Sequence, residues 1–276
     1  MEPNSLKKED NIVYRRPRLL TDANMHYCPG CSHATIHKIV ADVLGEMKLD
    51  DKVIGVSPVG CSVFIYNYID IDWVEAAHGR APAVATAINR LNPDKMVFTY
   101  QGDGELAAIG TTEVIHACNR GENITIIFIN NAVYGMTGGQ MAPTTPLGMK
   151  TVTCPDGRTV ELNGYPLPIT ELLCRTEGTC FVSRECVTSY KSVIHAKKAL
   201  RRAFENTLAK KGTSVIEFMG TCCSGWKMTP HDANAWLDER MKSMKMGTLK
   251  ALDKKMEPHP YSAPVQANIG DRALRF

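Results

Sequence analysis

Short runs of apolar and β-branched residues alternate along this chain with longer segments in which apolar residues recur every three or four positions. The first pattern predicts strands and the second predicts amphipathic helices. The strands predicted in this way cover residues 53–57, 96–100, 124–129, 179–187 and 214–219. The predicted helices cover residues 32–47, with Ser32 as the N-cap, and residues 81–90, 105–120, 196–211 and 230–245. Strands that alternate with helices predict an α/β fold of three layers, in which a mostly parallel sheet carries helices on both faces.

The irregular parts of the chain lie between and outside these elements. Residues 141–180 carry many prolines and little periodicity, which favours a functional loop or a partner surface. We interpret residues 1–24 as an N-terminal arm and residues from about 245 to 276 as a C-terminal tail. We therefore expect a single domain over residues 1–276, without internal repeats.

The most informative stretch is the strand–helix–strand unit over residues 96–131. Asp103, between Gly102 and Gly104, follows one predicted strand, and Asn131 follows the next. The carboxyl ends of neighbouring parallel strands meet at one edge of a sheet, where ligands bind. Carboxylate and carboxamide oxygens suit Mg²⁺, and the glycines let a diphosphate approach the backbone beside a helix N-terminus. The alternative is a structural βαβ unit with Asp103 and Asn131 in ordinary turns.

Composition narrows the class of protein. The chain is 44% hydrophobic and 22% charged, and its net charge is +3. It has no apolar stretch of the ~18–20 residues that span a bilayer, and its N-terminus lacks the apolar core of a signal peptide. We therefore expect a cytoplasmic protein without nucleic-acid or membrane partners. Ten cysteines in such a chain favour metal or cluster ligation over disulfides.

Cysteines occur at several places near the predicted ligand edge of the sheet. Cys28 and Cys31 form a Cys-Pro-Gly-Cys turn, Cys61 follows the first strand, and Cys222 and Cys223 follow the last. Four thiolates suit either a [4Fe–4S] cluster or a structural Zn²⁺ ion, and their spacing alone does not choose between the two. The third interpretation is a set of buried, unreactive thiols.

Several motifs together resemble a known family. The GDG at 102–104, the 26 residues between Gly104 and Asn131, and the continuation NNAVYGMTGGQ resemble the thiamine diphosphate signature of the β subunits of 2-oxoacid:ferredoxin oxidoreductases. The likeness covers roughly residues 25–240 and includes CPGCSH, PVGCS and GTCCSGW. It implies the three-layer thiamine diphosphate-binding fold. It also favours a [4Fe–4S] cluster, whose implied ligands are Cys28, Cys31, Cys61 and Cys222, with Cys223 as the alternative to Cys222.

The resemblance also implies roles for residues around the cofactor. Asp103, Asn131 and the carbonyl of Val133 are expected to bind Mg²⁺. The expected contacts of the cofactor are Cys61, Ser62, His78, Gly102, Asp103, Gly104, Glu105, Asn131, Val133, Tyr134, Gly135, Met136 and Thr137. His78 and Arg80 are the candidate catalytic residues, although His78 could equally be a loop histidine bonded to a backbone carbonyl. The glutamate that activates the aminopyrimidine ring is expected from a partner α subunit, so no glutamate of this chain is assigned to it.

The activity that the resemblance implies is the CoA-dependent oxidative decarboxylation of a 2-oxoacid to an acyl-CoA and CO₂. Thiamine diphosphate would serve as the electron sink, and electrons would pass through the cluster to ferredoxin. The implied partners are an α subunit, γ and ferredoxin-like δ subunits, ferredoxin, the 2-oxoacid and coenzyme A. The motifs look most like the short β subunits that act on 2-oxoisovalerate or 2-oxoglutarate, and Arg80 is available to contact a second carboxylate. The alternatives are a non-catalytic iron–sulfur electron-transfer or metal-binding subunit and a cluster-free thiamine decarboxylase.

Overall fold

A computed structural model describes residues 14–252, so the predicted N-terminal arm and C-terminal tail lie partly outside the described residues. The strands are β1 (Val53–Ser57), β2 (Asp72–Glu75), β3 (Met96–Gly102), β4 (Thr125–Asn130), β5 (Val133–Tyr134), β6 (Gln140–Met141), β7 (Thr179–Cys186), β8 (Thr213–Met219) and β9 (Gly247–Ala251). The helices are α1 (Ser32–Glu46), α2 (Ala81–Leu91), α3 (Thr111–Arg120), α4 (Val160–Asn163), α5 (Ile169–Arg175), α6 (Tyr190–Leu208), α7 (Cys223–Trp226) and α8 (Pro230–Met241).

Within the described residues, seven strands form one sheet in the order β2-β1-β3-β4-β8-β7-β9. Neighbouring strands are parallel except for β7 and β9, which are antiparallel. The predicted mostly parallel sheet is therefore confirmed. β9 lies in the stretch that the sequence suggested as the start of a tail, where its pairing with β7 makes it part of the sheet.

Helices cover both faces of this sheet. On one face, α1 and α6 pack against side chains such as Phe98 and Phe218. On the other face, α2, α3 and α5 pack against side chains such as Val97 and Phe128. Consecutive residues of β3 point to opposite faces and both are buried, as expected of a parallel strand covered on both sides. The predicted three-layer arrangement is confirmed.

Two local predictions were wrong. The helix predicted over residues 105–120 is interrupted, because a π-helical turn over Glu105–Ile109 precedes α3. The interruption lets Gly110 approach the loop of Gly79: a Cβ atom at Gly110 would lie 2.9 Å from the Gly79 carbonyl oxygen. The N-cap of α1 is Cys31 rather than Ser32, whose hydroxyl instead accepts a 2.9 Å hydrogen bond from the backbone N–H of Thr221.

The strand order creates a crevice at the carboxyl ends of the strands. The connection after β1 leads to β2 on one side, whereas β3 and then β4 lie on the other side. Such a switch point in a parallel sheet is where ligands bind. None of the helices described between residues 14 and 252 combines the length and the apolar character that crossing a bilayer requires.

Candidate cofactor site

A cavity of about 330 Å³ lies at the carboxyl ends of β1 and β3, and loops after β1 to β4 line it. All thirteen residues that the sequence predicted as cofactor contacts line this cavity, the first being Cys61 and the last Thr137. Three further lining residues, His33, Val59 and Gly60, were not selected from the sequence. The position of His33 two residues after Cys31 in the CPGCSH turn was a signal that could have identified it.

Asp103 forms the polar floor of the cavity. Its buried carboxylate accepts a 2.9 Å hydrogen bond from the backbone N–H of Ala132 and a second hydrogen bond from the hydroxyl of Thr144. Burial raises the pKa of Asp103 to about 6, and these hydrogen bonds oppose the shift. The site therefore contains a buried carboxylate for which a cation would be a favourable partner.

The turn after β4 brings Asn131 to the cavity in a constrained conformation. Ala132 has a φ of 63°, in the left-handed region that non-glycine residues seldom adopt. The side-chain Oδ1 of Asn131 accepts a 3.1 Å hydrogen bond from the N–H of Val133, and its carbonyl accepts one of 2.9 Å from Nε1 of Trp226. Neighbouring groups thus hold both ends of the strained turn in place.

Glu105 connects the GDG loop to the loop that carries His78. Its buried Oε1 accepts a 2.9 Å hydrogen bond from the backbone N–H of Gly79. Burial raises the pKa of Glu105 to about 8, and the bond from Gly79 opposes the shift. Burial therefore favours the uncharged form of this carboxyl group, which weakens its repulsion of an anion beside it.

The structure separates the two residues predicted to be catalytic. His78 lines the cavity, and its Nδ1 lies 3.0 Å from the carbonyl oxygen of Val59, as in the backbone-bonded alternative. Arg80 does not line the cavity. Its guanidinium group donates a 3.1 Å hydrogen bond to the carbonyl of Ile109 and forms an ion pair with Glu113.

The sulfur atoms of Cys61 and Cys222 both lie against Gly135 at the cavity wall. A Cβ atom at this glycine would be 3.3 Å from the first sulfur and 3.2 Å from the second. Gly225 makes similar room, since its Cβ would be 2.8 Å from Sγ of Cys222. The sulfur of Cys223 instead lies against Gly30, 2.9 Å from the position of a Cβ atom there.

The predicted cysteine ligands lie close enough together for the charge of one thiolate to raise the pKa of another. Burial raises the pKa of Cys31 to about 12 and that of Cys222 to about 11, and the sulfurs of Cys28 and Cys61 add to both shifts. These groups are therefore protonated thiols unless a cation binds them. In the described part of the chain, no group of three or more His, Cys, Asp or Glu side chains has an arrangement that could hold a metal ion.

Two residues outside the predicted set also build the site. Thr144, in the proline-rich segment, contacts Asp103, and Trp226, in α7, contacts Asn131. The sequence offered only a weak signal for either residue, because both contacts join parts of the chain that are 41 and 95 positions apart.

Comparisons with known proteins agree with this geometry. The profile of the family described as "Thiamine pyrophosphate enzyme, C-terminal TPP binding domain" matches residues 58–218, more than half of the chain. A solved 2-oxoglutarate:ferredoxin oxidoreductase from Magnetococcus marinus, with 2-oxoglutarate, coenzyme A and succinyl-CoA bound, has the same fold. Its TM-score is 0.72 at 22% identity, over 91% of this chain and 89% of that chain.

Two curated relatives are similar in sequence. The ketoisovalerate oxidoreductase subunit VorA of Methanothermobacter thermautotrophicus is 41% identical over 244 residues, which are 88% of this chain. This chain spans about half of that relative, 51% of its length. The 2-oxoglutarate synthase subunit KorB of Archaeoglobus fulgidus is 35% identical over 219 residues, 78% of this chain and 76% of the relative. The chain therefore belongs to the thiamine pyrophosphate enzymes that carry this cofactor-binding domain, in the family of the VorA and KorB subunits of 2-oxoacid oxidoreductases.

Proposed function

We propose that this chain is the thiamine diphosphate-binding subunit of a cytoplasmic 2-oxoacid:ferredoxin oxidoreductase. The complex would convert a 2-oxoacid, coenzyme A and oxidised ferredoxin to an acyl-CoA, CO₂ and reduced ferredoxin. The observation that carries the proposal is a single cavity lined by the GDG loop, the turn of Asn131, Cys61 and Gly135, with the sulfur of Cys222 beside Gly135. Residues 1–276 would form one cofactor-binding domain.

The donor atoms at Asp103 fit a Mg²⁺-bound diphosphate. A divalent cation would compensate the buried carboxylate, and the Asn131 side chain and the Val133 carbonyl would supply further hard oxygen ligands. Only one of these three proposed Mg²⁺ ligands is a carboxylate, so the proposed site does not depend on a cluster of acidic side chains. Next to it, a Cβ atom at Gly102 would meet no atom within 4 Å, which leaves room for phosphate oxygens at the backbone.

The cysteines beside the cavity fit a [4Fe–4S] cluster better than a single ion. We assign Cys28, Cys31, Cys61 and Cys222 as its ligands. Each cysteine binds a different iron of such a cluster, so the four sulfurs need not converge on one point. Cys222 is preferred to Cys223 because it shares the space beside Gly135 with Cys61.

The residues of this chain would orient and shield the cofactor. When bound, thiamine diphosphate supplies the electron sink for the carbanion that decarboxylation leaves, and a cluster supplies one-electron transfer. Tyr134 packs over the GDG loop, since a Cβ atom at Gly104 would lie 2.6 Å from its ring. The hydrogen bond between Glu105 and Gly79 holds the loop of His78 against the cavity, so the imidazole would face a ligand bound there.

A partner subunit would complete the site. The cavity wall includes the apolar side chains of Met136 and Val59, which are 49% and 37% exposed. Exposed apolar side chains beside a cavity fit coverage by another protein surface. We assign this covering surface to an α subunit, which would also bring the activating glutamate. We assign the contact with ferredoxin to further γ and δ subunits.

Within this proposal we favour 2-oxoisovalerate over 2-oxoglutarate as the substrate. A dicarboxylate requires a cationic contact for its second carboxylate. Among residues 14–252, no lysine or arginine lines the cavity, and Arg80 is bonded to Glu113 and Ile109 instead. Reduction of ferredoxin with each 2-oxoacid tests this choice, and a higher kcat/KM for 2-oxoglutarate would contradict it.

The content of iron, sulfide and thiamine in the anaerobically purified chain, with and without its co-expressed partner, tests the proposal as a whole. About four irons and one thiamine per chain are expected in the complex, together with 2-oxoacid-dependent reduction of ferredoxin. Zinc in place of iron, or the absence of thiamine even with the partner, would contradict the proposal. Iron without thiamine would support an electron-transfer subunit instead.

A further inference from the structure

A second polar centre lies behind the cofactor cavity, around the carboxylate of Glu217 in β8. Glu217 is only 1% exposed, and both of its oxygens are bonded. Oε1 accepts a 2.7 Å hydrogen bond from Nδ2 of Asn130, and Oε2 accepts one of 2.7 Å from the hydroxyl of Thr170. Oε2 also forms a buried ion pair with Arg184, whose side chain is 3% exposed. The cofactor chemistry described above uses none of these four residues.

Asn130 joins this centre to the turn of Asn131, and Thr144, which lines the cavity of the centre, joins it to Asp103. Asn130 is the last residue of β4 and directly precedes Asn131 and the strained Ala132. Its buried side chain points away from the cofactor cavity and lines a separate cavity of about 250 Å³ with Glu217 and Arg184. Glu217 is thus placed to fix the side of the turn that the cofactor cavity does not reach.

The buried ion pair between Arg184 and Glu217 calls for an explanation other than a contribution to stability. A buried ion pair is weak evidence for stability, because removing two charges from water offsets most of their attraction. An apolar pair of similar volume often supports a fold equally well. An apolar pair cannot accept the hydrogen bond from Asn130. This hydrogen bond restricts the conformation of the turn of Asn131 and Ala132.

We propose that Glu217 is a positioning residue that sets the geometry of the Asn131 turn, and through it the affinity of the site for a divalent cation and a diphosphate. The ligand class in this inference rests on the proposed function. The inference that Glu217 holds the turn of Asn131 does not rest on the proposed function, because it concerns only residues of this chain.

Two matched double variants test the inference in the co-expressed complex. Arg184→Met with Glu217→Gln removes the ion pair but leaves a carbonyl oxygen that can accept from Asn130. Arg184→Met with Glu217→Leu removes both. Glu185→Gln, which changes a buried carboxylate on neighbouring β7 that is bonded to Ser183, is the control for loss of a buried charge from the sheet. Thermal unfolding confirms that each variant is folded.

The first measurement is the affinity for thiamine diphosphate over a range of Mg²⁺ concentrations. We expect the Leu-containing variant to bind about tenfold more weakly at low Mg²⁺ and to recover as Mg²⁺ rises, as the loss of about one hydrogen bond from a binding geometry predicts. The Gln-containing variant and the Glu185→Gln control should stay within about threefold of the unmodified complex. Equal weakening in both double variants, or none in the Leu-containing variant, would overturn the inference.

The second measurement is hydrogen exchange of the cofactor-free complex over residues 125–134. The Leu-containing variant should exchange faster there than the Gln-containing variant, because the turn has lost its anchor. Identical exchange in the two variants would also overturn the inference. If the unmodified complex binds no thiamine diphosphate while this exchange difference is present, the proposed function fails and the positioning role of Glu217 stands.

Discussion

The hydroxyl group of Thr144 donates a hydrogen bond to Oδ2 of Asp103, the same oxygen that accepts the N–H of Ala132. This contact joins the proline-rich segment to the GDG loop. The neighbouring Thr145 hydroxyl donates a 2.6 Å hydrogen bond to the carbonyl of Ala132, so the segment holds the strained turn as well. The segment that lacked periodicity in the sequence is thus structurally part of the candidate site.

Replacing Thr144 by valine should destabilise the protein and lower its affinity for a Mg²⁺-bound diphosphate. The buried carboxylate of Asp103 would lose a hydrogen-bond donor, which should lower the free energy of unfolding by about 1–3 kcal/mol. Urea unfolding of the Thr144→Val variant measures the effect. Thr144→Ser retains the hydroxyl group and should unfold close to the unmodified protein. Destabilisation by Thr144→Val that is no greater than that by Thr144→Ser would contradict a contribution of this hydrogen bond.

Arg158 should be essential for the order of the proline-rich segment. This residue is 5% exposed. Its guanidinium group donates to the carbonyls of Pro143 and Thr145 on one side and of Gly164 and Tyr165 on the other, at 2.8–3.0 Å. We expect Arg158→Met to lower the free energy of unfolding by about 2–4 kcal/mol, because several buried carbonyls lose their donor.

Limited proteolysis locates this effect. Cleavage of the Arg158→Met variant should concentrate between residues 141 and 168, the span that Arg158 connects. Arg175 is an exposed arginine, and Arg175→Met should leave the proteolysis pattern unchanged. A protected segment in the Arg158→Met variant would mean that other contacts suffice to order it.

Gly135→Ala should interfere with the binding of any group between Cys61 and Cys222. The added Cβ atom would approach both sulfurs to 3.2–3.3 Å, so at least one of them has to move. In the proposed complex, the iron and sulfide content should fall by at least about half, since displacement of one of four ligands weakens a cluster. Gly45→Ala, where the new Cβ atom meets only the side chain of Arg18 at 3.6 Å, is the control. Full iron content in Gly135→Ala would contradict the expectation that a bound group occupies the space between Cys61 and Cys222.

Buried histidines should make the protein less stable in mild acid. His37 is fully buried in α1 and packs on Tyr100, and burial holds its pKa well below the ordinary value. The unfolded chain binds a proton at this residue below about pH 6.5, whereas the folded chain does not, so the stability falls as the pH falls through that value. The contribution of His37 is a loss of about 1 kcal/mol between pH 6.5 and 5.5.

His37→Phe keeps an aromatic ring in this position and removes the titrating group. The dependence of its unfolding free energy on pH should be flatter than that of the unmodified protein by about 1 kcal/mol per pH unit below about pH 6.5. Denaturant unfolding at pH 5.5, 6.5 and 7.5 measures the difference. Parallel pH profiles of the two proteins would show that His37 binds protons equally in the folded and unfolded states.

The elements that the sequence predicted well are those in which one local pattern determines the structure. The apolar runs at β3 and β4 fixed the strands, and the polar residues directly after them marked the ligand edge, since strands of a parallel sheet end on the same side. Asp103 and Asn131 could therefore be brought together without knowledge of the rest of the chain.

The parts that the sequence could not predict depend on which side chains meet across the fold. The ion pair between Arg184 and Glu217 joins positions 33 residues apart on neighbouring strands, and no local pattern distinguishes it from exposed charges. Likewise, Arg80 adjoins the cavity loop in the sequence, but its side chain turns to Glu113 because α3 packs beside it. The π-helical turn at Glu105 could not be predicted from the local sequence, because it accompanies the close approach of Gly79, which is a tertiary contact.

The contact between Ser32 and Thr221 has a consequence for the order of events during biosynthesis. It ties the turn that carries Cys31 to the loop that carries Cys222, across 191 positions from one cysteine to the other. At about 5–20 residues per second, a ribosome needs about 10–40 s to make the intervening chain. Until β8 has joined the sheet, the thiols of the Cys-Pro-Gly-Cys turn have no opposing sulfur from that loop. Their final environment therefore forms only after β8 has been synthesised, and any group that needs all of these sulfurs is inserted after that point.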